Sequence, residues 1–241
     1  MVKPEEKIKE FLSDYNPGVN VIKLKDLLLL RQNFSTGEQI TSLFPPIEIG
    51  SITLVDQIVL LALKDICSPS RILEIGTYLG YSTSLFAMNT SAQIVTIDLP
   101  TEGDLSKEWQ YTQNSILVDG DQNDNYLRSK QKEDGLKYIS NLTGQQKKQI
   151  KFVKADSTKM SFCRELGKFN MVFIDGGHEY SIVKSDTLNA LEAVEKGVII
   201  WHDFGSKLHT GVNKLLGEKT TEKIFYVSGS LCAFSLIGYS L

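Results

Sequence analysis

Short apolar runs recur from Arg71 onward, at Arg71–Ile75, Ile94–Asp98, Ile150–Ala155, Met171–Asp175 and Gly197–Trp201, with longer stretches between them. Such alternation is the pattern of βαβ units and predicts a mostly parallel sheet covered by helices on both faces. One intervening helix is expected over Tyr180–Glu195, where Ile182, Val183, Leu188, Leu191 and Val194 follow the helical period and Gly197 is available as its stop. Upstream, Ile8, Phe11, Leu12 and Tyr15, then Leu54, Ile58, Leu61 and Ile66, repeat at helical spacing and predict helices ahead of the main sheet. Between them, Phe44-Pro-Pro-Ile-Glu-Ile-Gly50 cannot continue a helix, because proline lacks a donor and restricts its neighbour, so it reads as a connector or lid segment.

The last two apolar runs, Lys223–Val227 and Leu231–Ile237, are separated only by Ser228-Gly229-Ser230. A parallel crossover needs roughly a dozen residues, so this pair must be an antiparallel hairpin. The expected fold class is therefore α/β: a Rossmann-like, doubly wound, mostly parallel seven-stranded sheet with a terminal antiparallel strand. Residues 1–70 are expected to form an N-terminal helical cap or lid and residues 71–241 the main domain. Within that domain, about 101–149 is polar and longer than one helix with two short loops requires, which marks an insertion. Inside it, Asp119-Gly-Asp-Gln-Asn-Asp-Asn125 resembles the start of a calcium loop. Its glycine is misplaced and Lys130 stands where a bidentate Glu is needed, so a solvated acidic loop is expected there, with substrate contacts as the alternative use of the insertion.

Composition narrows the partners. With 26 Lys+Arg against 29 Asp+Glu the formal net charge is −3, and 41% of residues are hydrophobic, the proportions of an ordinary globular protein. There is no basic block that would neutralise phosphates, so nucleic acid is not an expected partner. Cys67, Cys163 and Cys232 are scattered without C-x-x-C spacing and suggest neither a disulfide framework nor a zinc knuckle. Glu5 and Glu6 stand where a secretion signal needs a basic and then an apolar region, and Leu27–Leu30 and Ile58–Leu63 fall far short of the roughly 20 apolar residues of a membrane span. A cytoplasmic protein without a membrane partner is expected; oligomeric state is left open, a homo-oligomer being compatible with the pattern.

Candidate chemistry begins at Leu73-Glu-Ile-Gly-Thr-Tyr-Leu-Gly-Tyr-Ser-Thr83, an apolar strand passing through two glycines into a helix, a loop that offers backbone N–H groups to a ligand. A diphosphate loop of the G-x-G-x-x-G type needs a second glycine where Tyr78 stands, which disfavours a dinucleotide. Asp98 ends the next strand 22 residues after Gly76, about the separation of an acid that binds ribose hydroxyls. An adenosine ligand without a diphosphate satisfies both observations. On these residues the chain resembles the class I S-adenosylmethionine-dependent methyltransferases over about Arg71–Leu241. The resemblance implies that Glu74-x-Gly76-x-x-x-Gly80 is the methionine-binding motif, Asp98 the ribose acid and Ala155-Asp156-Ser157 the adenine-contacting turn. The implied cofactor-binding residues are Glu74, Gly76, Thr77, Tyr78, Gly80, Ser82, Thr83, Asp98, Asp156, Ser157 and Asp175, with S-adenosyl-L-methionine as the cofactor.

Two further strands end in acids, at Phe173-Ile-Asp175-Gly-Gly-His178-Glu-Tyr180 and at Ile199-Ile-Trp-His202-Asp203. Neighbouring strands lie about 4.8 Å apart, so Asp175 and Asp203 can converge. Carboxylates that close repel unless they share a proton or a cation, and a hard ion such as Mg²⁺ would resolve the conflict. This half resembles the metal-assisted small-molecule O-methyltransferases of the macrocin-type and cephalosporin-biosynthesis branch, in which I-D-G-x-H-x-Y precedes a strand ending in H-D or E-D. The resemblance implies Asp175 and Asp203 as metal ligands and His178 as the general base. Catechol-type relatives follow the second acid with Asn, where this chain has Phe204; His202 then becomes the replacement ligand.

Simpler roles stand beside these. His178 could cap the helix near Tyr180, Asp203 could be an N-cap, His209 reads as a surface residue, and Glu179, Tyr180 and Trp201 read as packing or pocket residues. The expected activity is transfer of a methyl group from S-adenosylmethionine to a hydroxyl of a small-molecule acceptor. A cofactor-binding protein without catalysis and an NAD-dependent oxidoreductase are the alternatives.

Overall fold

The computed structural model describes residues 4–37, 39–44, 50–100, 127, 130–131 and 134–239. The chain opens with α1 (Pro4–Ser13), β1 (Gly18–Lys23) and α2 (Leu24–Arg31), followed by α3 (Leu54–Cys67). The expected strands then appear as β2 (Arg71–Ile75), β3 (Gln93–Asp98), β4 (Ile150–Lys154), β5 (Phe169–Ile174) and β6 (Val194–Trp201), with α4 (Tyr81–Asn89) between β2 and β3. Shorter helices α5 (Gly144–Lys148) and α6 (Phe162–Leu166) flank β4, and α7 (Tyr180–Ala193) and α8 (Thr210–Leu216) flank β6. The antiparallel hairpin closes the chain as β7 (Lys223–Ser228) and β8 (Ala233–Ile237).

All of these strands belong to one eight-stranded sheet, ordered β1-β7-β8-β6-β5-β2-β3-β4. It holds the seven expected strands and an eighth, β1, which runs parallel to β7 at the edge. β8 lies between β7 and β6 and is antiparallel to both. Successive side chains of a strand point to opposite faces, so β2 sends Ile72 into one core and Leu73 and Ile75 into the other. Both faces are covered, which is why the central strands read as unbroken apolar runs rather than alternating ones. Leu73, Phe173 and Ile199 are wholly buried, each contributing roughly 1.5–3 kcal/mol of hydrophobic stabilisation.

Residues before Arg71 add the edge strand β1 to the sheet and contribute to its core. Ile8, Leu12, Leu27, Leu30, Leu60 and Leu63 share one core with Phe173 and Phe225 of the sheet. The start of α3 is fixed by a capping box: Thr53 Oγ1 accepts from the Asp56 N–H at 3.3 Å, and Asp56 Oδ2 accepts from the Thr53 N–H at 2.8 Å.

Gly197 is not the stop of α7. That helix ends at Ala193 and the chain enters β6 at Val194 without a loop, while Gly197 sits inside β6 beside a register shift in the β5–β6 pairing. A Cβ there would lie 1.8 Å from the Asn170 carbonyl oxygen, so the close approach of two backbones requires the glycine.

The acidic stretch Asp119–Asn125 and most of the Phe44–Gly50 connector lie outside the described residues. Among the described residues, no helix is long and apolar enough to cross a membrane.

Candidate active site

β2 pairs with β3 on one side and β5 on the other, and at this switch in strand order the carboxyl-end loops diverge and leave a crevice. The crevice is a cavity of about 610 Å³, bordered by the loops that follow β2, β3, β4, β5 and β6.

At one end lies the glycine loop. Gly76 has φ +96°, and a Cβ on it would fall 2.0 Å from the Asp175 carbonyl oxygen, so only glycine lets the β2 and β5 loops meet. Beneath the loop Glu74 is wholly buried; its Oε2 accepts from Thr96 Oγ1 at 2.6 Å and from Thr83 Oγ1. Burial pushes this carboxyl up to about 7, against the hydrogen bonds that favour its charged form. Gly76, Thr77, Tyr78 and Ser82 border the cavity, whereas Glu74, Gly80 and Thr83 lie behind the loop and shape it.

Asp98 borders the same end. Its Oδ1 accepts from the Leu99 N–H at 2.8 Å, and its Oδ2 accepts from the Tyr78 N–H at 3.0 Å and from the Gln131 amide. Burial raises its pKa and the charge of Lys154 opposes the shift. Gln131, which also donates to the Tyr78 carbonyl at 3.0 Å, is a site neighbour the sequence reading missed, because one Gln in a polar stretch carries no signal. Asp156 and Ser157 border the cavity nearby. The Asp156 carboxylate is engaged within its own turn, accepting from Thr158 Oγ1 at 2.6 Å and pairing with Lys159 at 2.9 Å, contacts that lower its pKa.

At the other end all three histidines of the chain surround Asp203. His178 Nε2, His202 Nδ1 and His209 Nε2 lie 2.9, 3.2 and 3.9 Å from its Oδ2. His202 Nδ1 is also 3.1 Å from Asp175 Oδ1, so the two acids do converge, with an imidazole between them. The opposite nitrogen of His202, Nε2, lies 3.3 Å from Oδ2 of the wholly buried Asp56. Burial disfavours a charged His202, but Asp175 and Asp203 outweigh it and lift its pKa well above the ordinary imidazole value. Burial likewise works against charge on Asp56, yet His202, Thr53 and the Leu231 N–H hold it at about 2. Asp203 is held well below the usual carboxylate range, again against burial, by His202 and His178. It also sits at φ +61°, a backbone conformation uncommon outside glycine and Asn/Asp and frequent at functional sites.

The simpler roles fall away in several cases. Glu179, not His178, occupies the N-cap of α7, and His209, not Asp203, that of α8. His209 is not a surface residue: it is 6% exposed and its ring stacks on His178 with centroids 3.8 Å apart. Trp201 points away to donate to Thr187 Oγ1 at 2.8 Å, and Phe204 packs on Tyr226, so neither borders the cavity. Tyr180 bonds Glu218 outside it, while Glu179 borders it. Asp56 escaped the sequence reading because its capping-box pattern signals a helix start and nothing local ties it to His202.

One oxygen each of Asp175 and Asp203 and one nitrogen of His202 lie within 4.8 Å of one another, a spacing that suits three ligands of one cation. His178, Asp203 and His209 form an adjoining group that shares Asp203.

A protein-family profile described as a methyltransferase domain matches residues 73–204, more than half of the chain. No significant match was found among curated proteins. Among solved structures, the SAH-bound methyltransferase PaMTH1 of Podospora anserina aligns with a TM-score of 0.51 and 14% identity, covering 96% of this chain and 94% of that one. A Staphylococcus aureus protein provisionally named a caffeoyl-CoA O-methyltransferase aligns with a TM-score of 0.52 and 16% identity, covering 97% and 99%. At these identities the likeness is one of fold.

Proposed function

The chain belongs to the methyltransferase-domain family, and from that premise we propose that it transfers the methyl group of S-adenosylmethionine to a hydroxyl oxygen of a small-molecule acceptor, assisted by a divalent cation. The observation that carries this reading is one cavity bordered by the glycine loop and Asp98 at one end and by His178 and Asp203 at the other. Its volume of about 610 Å³ lies within the range of small-ligand pockets, roughly 300–1,000 Å³.

At the cofactor end, Gly76, Thr77, Tyr78 and Ser82 would line the methionine moiety and Asp156 and Ser157 the adenine. Asp98 would accept the ribose hydroxyls. Its Oδ1 has one lone pair beyond the Leu99 bond, and the Gln131 amide on Oδ2 is a side-chain contact that a second hydroxyl can replace.

Methyl transfer from a sulfonium is an in-line displacement, so the acceptor oxygen must be aligned with the methyl carbon and lose its proton. Alignment in such a cavity is worth up to about 7–11 kcal/mol of barrier. The His178 imidazole, whose Nε2 lies 2.9 Å from Asp203 Oδ2, would take the proton, a contribution of roughly 10²–10⁴-fold. A base of this kind matches a hydroxyl acceptor, because a neutral amine needs no prior deprotonation. Asp175, Asp203 and His202 Nδ1 would hold the cation, and His202 fits that role because its other nitrogen faces Asp56, as ligating imidazoles usually face an outer acceptor. When bound, a divalent ion lowers the pKa of a coordinated hydroxyl and orients it.

The test is calorimetric titration with S-adenosylhomocysteine, with and without a divalent cation and with NAD as control, followed by transfer of labelled methyl from S-adenosylmethionine to a panel of hydroxyl acceptors. Micromolar binding of the homocysteine compound and labelled ether product are expected. NAD binding, or no binding of the homocysteine compound, overturns the reading.

A further inference from the structure

His202 separates this cluster from an all-oxygen cation cage. Its Nδ1 stands 3.1 Å from Asp175 Oδ1 and 3.2 Å from Asp203 Oδ2. Separations near 3 Å are what ligands about 90° apart show when each lies roughly 2.1 Å from one octahedral ion. Behind the ring, Asp56 is positioned independently of any ion: its Oδ2 accepts from the Thr53 N–H at 2.8 Å and its Oδ1 from the Leu231 N–H at 2.8 Å. A buried carboxylate so anchored, 3.3 Å from Nε2, holds a proton on that nitrogen, so that a cation placed between the two acids would displace the proton of Nδ1 and take its lone pair. Outer carboxylates of this kind commonly set the orientation and basicity of a ligating histidine. The donor set that results is one nitrogen and two carboxylate oxygens. Mg²⁺ prefers oxygen ligands alone and retains its waters, whereas an imidazole suits the borderline transition ions.

We propose that His202 Nδ1 is the nitrogen ligand of this site, oriented by Asp56 as a positioning residue, and that the site takes a borderline divalent transition ion of the iron-to-zinc series in preference to Mg²⁺. The inference rests on the cation site of the proposed function and narrows it. The chain's three histidines make the ring nitrogens separately visible, since one variant of each assigns its signals.

The experiment is nitrogen-detected NMR of ¹⁵N-histidine-labelled full-length protein titrated with Zn²⁺, beside calorimetry with Co²⁺, Zn²⁺ and Mg²⁺. Expected are a His202 spectrum with the proton on Nε2 and Nδ1 shifted as a metal-bound nitrogen, and Co²⁺ or Zn²⁺ binding at least tenfold tighter than Mg²⁺. Asp56→Asn should weaken Zn²⁺ binding by about 10–100-fold, the usual effect of removing an outer partner. His202→Asp, which creates an all-oxygen set and leaves Asp56 in place, should lose the Zn²⁺ preference while Mg²⁺ binding persists; it decides the matter if Asp56→Asn does not fold. Equal affinity for Mg²⁺ and Co²⁺ in the natural protein, Zn²⁺ binding that leaves His202 Nδ1 unshifted, or no cation binding overturns the proposal. S-adenosylhomocysteine binding measured on the same samples separates the failures: if it persists, only the metal assignment falls, and if it is absent while Zn²⁺ shifts Nδ1, the cofactor reading falls and the ligand assignment stands.

Discussion

His178 Nε2 lies 2.9 Å from Asp203 Oδ2, which sets the imidazole beside the acid at the catalytic end of the cavity. An imidazole so placed is the cavity's candidate acceptor for a hydroxyl proton. His178→Ala should therefore reduce turnover by roughly 10²–10⁴-fold while leaving S-adenosylhomocysteine affinity unchanged. Paired calorimetry and single-turnover rates check this, and an unaltered rate removes His178 as the base.

Asp203→Asn keeps the size of the side chain and removes its charge. Three imidazoles then lose a common anion, and Asp175 loses its partner acid. Turnover should fall by at least about 10²-fold, since neutralising the acid that orients a catalytic histidine can cost more than that. In the unmodified protein a chelator should suppress activity and an added divalent ion should restore it. Full activity in chelator would falsify the cation's role.

The parts legible in the sequence are those fixed by local pattern. β2 to β6 are buried on both faces and announce themselves as apolar runs, and Gly76, Asp98, Asp175 and Asp203 are readable because they stand at or just beyond strand ends. β1 was missed because its side chains read the wrong way for a core strand: Val21 is 67% exposed, only Ile22 is buried, and pairing with β7, some 200 residues away, sets its place. Asp56 and His209 reach Asp203's surroundings through tertiary packing, which no motif encodes. Glu74 shows how parity corrects a motif. It shares the face of Ile72, the face α4 covers, so the acid lies under the loop rather than in the cavity.

Gly76→Ala tests whether the meeting of the β2 and β5 loops builds the cofactor end. The added methyl would fall 2.0 Å from the Asp175 carbonyl oxygen at a φ of +96°, and strand ends cannot yield as a flexible side chain can. The left-handed conformation alone costs roughly 1–2 kcal/mol, and the clash adds to it. Tm should drop by several degrees, at about 2–4 °C per kcal/mol for a chain of this size. S-adenosylhomocysteine affinity should fall at least tenfold. An alanine variant with unchanged Tm and affinity refutes the close approach.

Glu74 gives the fold a pH dependence whose sign can be worked out. Its carboxyl titrates near 7 in the folded protein against an ordinary value of 4.5. Between those values the unfolded chain has released the proton and the folded chain retains it, so the unfolded state binds fewer protons and stability falls as pH rises. Below about pH 4.5 both states are protonated and the contribution is fully present; above about pH 7 the loss is complete, at about 3 kcal/mol. Asp186, which burial raises to about 6, acts in the same direction. Asp56, held at about 2, and Asp203 act in the opposite direction but only in acid, outside this window. Glu74→Gln removes the titration while retaining a side chain of the same shape that can still accept from Thr83 and Thr96. Urea unfolding at pH 5 and pH 8 should show the variant gaining roughly 2–3 kcal/mol relative to the natural protein across that interval. If the two proteins lose stability in parallel, Glu74 is ionised in both states, and the carboxyl under the glycine loop is better solvated than its complete burial implies.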